Sequence, residues 1–88
     1  NMKLKSTIIL RKIAGETILV PVGEDAVRVN GLITVNEVGA LICEQLKEER
    51  TVDALVAAVT AQFDVDAQTA RADIASFIHT LAENDLLA

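Results

Sequence analysis

Aromatic residues are nearly missing from this sequence. Phe63 and Phe77 are present; Trp and Tyr are not. A cofactor site walled by aromatic rings is thereby excluded, and any core must be built from Leu, Ile, Val and Ala. Cysteine is single (Cys43), so no intrachain disulfide can form, and a reducing cytoplasm is the expected setting. Histidine is single too (His79), so a metal site would lack the convergent His and Cys ligands it needs. No apolar run approaches the ~20 residues of a membrane span. The longest early run, Ile8-Ile9-Leu10, meets Arg11 and Lys12 at once, which does not fit a signal peptide. Positive charge is scarce. The net charge is −5 and the clearest basic groupings are Lys3/Lys5 and Arg11/Lys12, so nucleic acid is not the expected partner. The four glycines are isolated and form no phosphate-cradling loop.

What remains is an apolar, acidic chain. With 51% hydrophobic residues over 88 positions, it supports one packed domain, expected over residues 2–88. Met2 reads as the natural start and Asn1 as a cloning remnant.

The chain changes character near Asn36. Before it, apolar residues are mostly β-branched and punctuated by Gly and Pro. Residues 7–13 and 17–20 read as two strands around an Ala14-Gly15-Glu16 turn, the second ending near Pro21, which cannot donate to a ladder. Leu32–Val35 reads as a third, short strand. Asn30-Gly31 suits a type I′ turn, so residues 27–29 pair with 32–34 as a hairpin, or else residues 23–31 are an irregular connection.

After Asn36, apolar residues recur at helical spacing. Asn36 caps a first helix with the stripe Val38, Leu41, Ile42 and Leu46, ending around Glu48–Arg50. Thr51 caps a second, with Val52, Leu55, Val56, Val59 and Phe63. Asp66 caps a third, with Ala70, Ile74, Phe77, Ile78 and Leu81, closed by Asn84. The fold class is α+β: a winged-helix-like domain, an N-terminal three-stranded antiparallel sheet followed by three helices.

Reactive chemistry is hard to find. Cys43, between Ile42 and Leu46, reads as a small buried thiol. His79 projects about 180° from Ala70, onto the polar back of the third helix. The thirteen carboxylates fall mostly at caps and exposed faces. The expectation is no catalytic residue, no metal and no cofactor.

Two features point to binding instead. The third strand has no charged gatekeeper, so its edge can accept an added strand; Ile33→Pro is expected to delete one of its donors. The third helix has one small, apolar edge, carrying Ala67, Ala75, Ile78 and Ala82 with Arg71, while the opposite flank carries Asp73, Thr80 and Asn84. Packing of that small edge on the first or second helix, or alanine present simply for helix propensity, is the competing explanation.

Residues 31–42, Gly-Leu-Ile-Thr-Val-Asn-Glu-Val-Gly-Ala-Leu-Ile, resemble the strand and "LNE-x-GA-x-I" segment of the PqqD family. Residues 51–55, the Phe63-Asp64-Val65 break, residues 70–81 and the Asp85-Leu86-Leu87 tail resemble its later elements in order and spacing. Val35 stands where Leu is more usual, and Cys43 where Trp often sits. The segment after Val22 is longer than in compact members.

The resemblance implies a precursor-peptide recognition domain, a non-catalytic peptide chaperone of pyrroloquinoline quinone and related pathways. It implies a leader peptide added to the third strand, and a radical SAM or other peptide-modifying enzyme as second partner. The peptide-binding positions it carries over are Leu32, Ile33, Thr34 and Val35 on the strand and Arg71, Ile74, Ala75 and Ile78 on the helix. Two other readings stand beside it. A winged-helix DNA-binding regulator needs a basic recognition helix, and here Arg71 is opposed by Asp73 and Glu83. A structural subunit would form a homodimer through the exposed strand.

Overall fold

The computed structural model describes residues 1–27 and 32–88. A three-stranded antiparallel sheet is followed by three helices: β1 (Ile8–Ile13), β2 (Glu16–Pro21), a 3₁₀ turn (Gly23–Val27), β3 (Ile33–Val35), α1 (Glu37–Gln45), α2 (Val52–Gln62) and α3 (Ala67–Glu83). Strand order in the sheet is β1-β2-β3. The expected α+β architecture is therefore the one observed. The 27–29/32–34 hairpin falls largely on residues outside the described ones; Val27 itself belongs to the 3₁₀ turn, and β3 pairs with β2.

Local chemistry sets most boundaries. Ala14 (φ 52°) and Gly15 (φ 82°) both take left-handed backbone, as a two-residue type I′ turn requires, and so close Ile13 on Glu16. Each helix begins on the residue whose side chain satisfies an orphan amide: Asn36 accepts from Gly39, Thr51 from Ala54 and Asp66 from Thr69.

The inner sheet face and the three helices enclose one core. Leu19, Ile42, Leu46, Leu55, Ile74, Leu81 and Leu86 are all at most 2% exposed. Alternation along the strands puts Ile8, Leu19 and Val35 into this core. Ile9, Ile13 and Leu32 stay exposed.

α1 is shorter than its pattern predicts. In a continuing helix the Arg50 amide would bond the Leu46 carbonyl. Instead that carbonyl accepts from Leu4 N–H at 2.7 Å, and Arg50 exchanges two bonds of 2.9 Å with Met2. α1 has by then turned to i→i−3 bonds, Lys47 on Glu44 and Glu48 on Gln45, and the N-terminal segment occupies the partners a continuing helix would use. The same segment reaches the C-terminal tail, where Lys5 N–H donates to Leu86 and Ala88 N–H to Lys3. Leu4 is buried at 3% exposure. This clasp has no signature in the local sequence pattern.

Candidate functional site

β3 occupies one side of the sheet and, among the described residues, pairs only with β2, through Thr17↔Val35, Ile18↔Thr34 and Leu19↔Ile33. The direction of its backbone groups follows from the ladder. Val22 N–H donates to the Thr7 carbonyl at 2.7 Å. In an antiparallel ladder successive residues alternate sides, so Glu16, Ile18 and Val20 also address β1. Thr17 and Leu19 then address β3, which places the Ile33 and Val35 amides on β2. Thr34 N–H and C=O point outward to the open edge. The edge donor is accordingly Thr34 and not Ile33, a correction to the expectation for Ile33→Pro. Pro21 sits on the β3-facing side of β2, so its missing N–H costs the β1–β2 ladder nothing.

Just past β3 the strand, α1 and α3 converge on Gly39. A methyl group built there would lie 3.1 Å from the Val35 Cβ and 3.1 Å from the Phe77 ring. Glycine therefore allows the strand end and the aromatic ring to close on α1 from two sides. Beside this junction a cleft of about 370 Å³ opens between α1 and α3. Val38, Gly39 and Ile42 line it from α1; Asp73, Ser76, Phe77 and Thr80 line it from α3, with Asn36 at the strand end. A larger hollow of about 630 Å³ lies under the hairpin end of the sheet, between Lys12, Thr17 and Val35 and the Leu41 and Phe63 side chains. It spans the ends of all three strands, and Thr34 and Val35 of β3 are part of its lining.

The structure distributes the sequence-assigned residues over three environments. Leu32 and Thr34 are exposed and Ile33 is half-buried, so these three lie along the open edge. Val35 and Ile74 are core residues, 8% and 0% exposed, and support the site from beneath. Arg71 is turned toward α2, where its Nη2 donates to Asp53 Oδ1 at 2.6 Å. Ala75 is exposed and Ile78 is half-buried against the core. None of the four α3 positions lines the α1–α3 cleft, which uses the opposite flank of the helix. Ser76 and Phe77 went unassigned at the sequence level. Their signal was available in the stripe Asp73, Ser76, Phe77 and Thr80, spaced by three, one and three.

Cys43 is fully buried. Burial, reinforced by the neighbouring Glu44 carboxylate, pushes its thiol up to about 12, so it is neutral and unreactive at physiological pH. His79 is exposed, with Nε2 3.4 Å from Glu83 Oε1. Among the described residues no group of three or more His, Cys, Asp or Glu side chains is arranged to hold a metal ion, and no helix is long and apolar enough to cross a membrane.

Known proteins can be set against this geometry. No curated protein matches the chain. Among solved structures, TbiB1 in complex with the TbiA(beta) leader peptide aligns with a TM-score of 0.77 at 26% identity, covering 98% of this chain and 94% of that one. Lasso peptide synthetase B1, complexed with the leader peptide, aligns with a TM-score of 0.76 at 21% identity, covering 99% and 96%, a likeness of fold. The family model for coenzyme PQQ synthesis protein D matches residues 10–87, from the first strand through the buried Leu86 of the tail. With most of β1, the other two strands and all three helices inside that span, the chain belongs to the PqqD family.

Proposed function

We propose that this domain binds the leader segment of a ribosomally made precursor peptide by strand addition to β3. It presents that peptide to a modifying enzyme and catalyses no step itself. The observation that carries the reading is the open β3 edge, with the Thr34 backbone groups directed outward, and the α1–α3 cleft beginning at Asn36, just past the strand's end. The family and the leader-peptide complex of TbiB1 support it. The guest would run along Leu32–Val35, with Ile33 beneath it and the Phe77 flank of α3 as its far wall. A radical SAM enzyme is the first candidate for the second partner, by family likeness, and the cytoplasm is the expected setting.

Fluorescence anisotropy with the labelled TbiA(beta) leader, and with short peptides encoded beside the gene, tests this. Saturable binding to at least one peptide is expected. Thr34→Pro removes an outward donor worth about 1 kcal/mol and places a ring in the path of the guest, so affinity should drop about tenfold or more. Its melting temperature should stay close to that of the parent, because the lost N–H serves no bond to β2. Failure of every peptide to bind, or an unchanged affinity in Thr34→Pro, would overturn strand addition. A stable dimer in sedimentation that dissociates in Thr34→Pro would assign the edge to a second copy of the chain.

A further inference from the structure

We propose that the α1–α3 cleft is a subsite for one basic side chain, lysine or arginine, of the guest peptide, with Asp73 as its counter-charge. The inference rests on the strand-addition reading and adds a chemical preference to it.

The cleft has the dimensions of a side-chain receptacle. Its volume of about 370 Å³ is more than twice the ~150 Å³ that accommodates a benzene ring. Gly39 keeps it open, since a side chain there would fill the space beside Phe77. Val38, Ile42 and Phe77 supply an apolar floor for the stem of a long side chain. The Phe77 ring lines the cleft and brings an aromatic group to it, the side-chain type that attracts a cation.

Charge decides what the tip should be. Asp73 is the one acidic side chain among the lining residues, and no basic one is among them. It is exposed, and among the described residues it has neither a hydrogen bond nor an ion pair. The ion-paired cations are engaged elsewhere: Lys5 with Asp85, Lys47 with Glu44, Arg50 with Glu48 and Arg71 with Asp53. The positive end of α1 borders the cleft, but it is already met by the Asn36 side chain on Gly39 N–H and by Glu37 in the first turn. A guest carboxylate would face Asp73 within a molecule of net charge −5, whereas a guest cation would complete the pair.

The test is a displayed library of random decapeptides selected on the full chain. Enriched sequences should share an alternating apolar strand with Lys or Arg at one fixed position. Synthetic peptides with Lys, Ala or Glu there should bind in that order, with a lysine-to-alanine difference of about tenfold at low salt that shrinks at high salt. Asp73→Asn should erase the difference and Asp73→Lys should reverse it, with circular dichroism confirming the fold. Enriched strands with no preferred basic position, or a lysine preference unchanged in Asp73→Asn, would overturn the subsite and leave strand addition standing. Absence of any enriched peptide, together with no binding of the TbiA(beta) leader, would overturn both.

Discussion

Ala14 holds a backbone conformation that an L-residue with a Cβ avoids, at a cost of about 1–2 kcal/mol. The β1–β2 turn needs it there, because Gly15 can supply only one of the two left-handed positions. Asparagine tolerates that region better and is the preferred first residue of this turn type. Ala14→Asn should therefore raise stability by about 0.5–1 kcal/mol, measured as a higher urea midpoint with unchanged slope. A midpoint at or below the parent's would refute the strain argument. Cys43 gives a second test at this scale. Its thiol is held at about 12, well above the reference value of 9.0. Between those two values the unfolded chain has lost its thiol proton and the folded chain has kept it. The sign is destabilising as pH rises: stability should fall by about 1.4 kcal/mol per pH unit over that window and be unaffected below it. Iodoacetamide labelling at pH 8 should follow global unfolding; rapid labelling of the native protein would contradict the burial.

Among the elements, helix starts were the most legible part of the sequence and the groove wall the least. Asn36, Thr51 and Asp66 each advertise a cap through a short side chain set before an apolar stripe, and each cap forms. Asp66 adds a pH dependence. Its bonds from Thr69 hold the carboxyl below its reference value of 3.8. The stabilisation is complete above that pH and is lost as pH falls through the lower folded value. Acid unfolding of Asp66→Asn, which keeps an accepting oxygen but cannot titrate, should be less steep below pH 4 than that of the parent. The wall of α3 was legible only as a choice between two flanks. Helical projection separates the Ala75 and Ile78 flank from the Asp73 and Thr80 flank, but the side facing β3 is set by where α2 packs. The Arg71–Asp53 pair marks the α2 side. Small alanines lie open as readily as they pack, so an apolar edge alone does not locate a cleft. Gly39 carried the better clue. Replacing it by alanine gains about 1 kcal/mol of helix propensity but forces contact with the Val35 Cβ, which cannot swing away, and with the Phe77 ring. Overpacking of that kind costs about 1–3 kcal/mol. Gly39→Ala should thus come out about 1 kcal/mol less stable; a gain in stability would show that the junction is looser than described.

At the scale of the whole molecule, the sheet-then-helices order could be read from the switch of hydrophobic period near Asn36, but its closure could not. Residues 2–5 are too few to show a period, and their partners, Leu46, Arg50, Leu86 and Ala88, lie more than forty positions away in sequence. Only the folded chain brings them together, through five backbone hydrogen bonds that tie the start of the chain to the α1–α2 connection and to the tail. The consequence is mechanical. The open edge of β3 is useful only if β3 and α3 keep a fixed spacing, and the clasp holds the end of α1 and the tail after α3 to a common strap. Leu4 anchors it at 3% exposure. A domain of this length has a total stability of about 4–13 kcal/mol. Leu4→Ala should remove about 2–4 kcal/mol of that, a cavity-forming loss in the core. Removing residues 1–5 should cost more, since the backbone bonds go as well, and should broaden the unfolding transition. Chemical denaturation of the three forms settles the point. If the shortened chain unfolds as cooperatively as Leu4→Ala and at the same midpoint, the clasp is ornament to the fold, and the spacing between strand edge and helix wall must be held by the core alone.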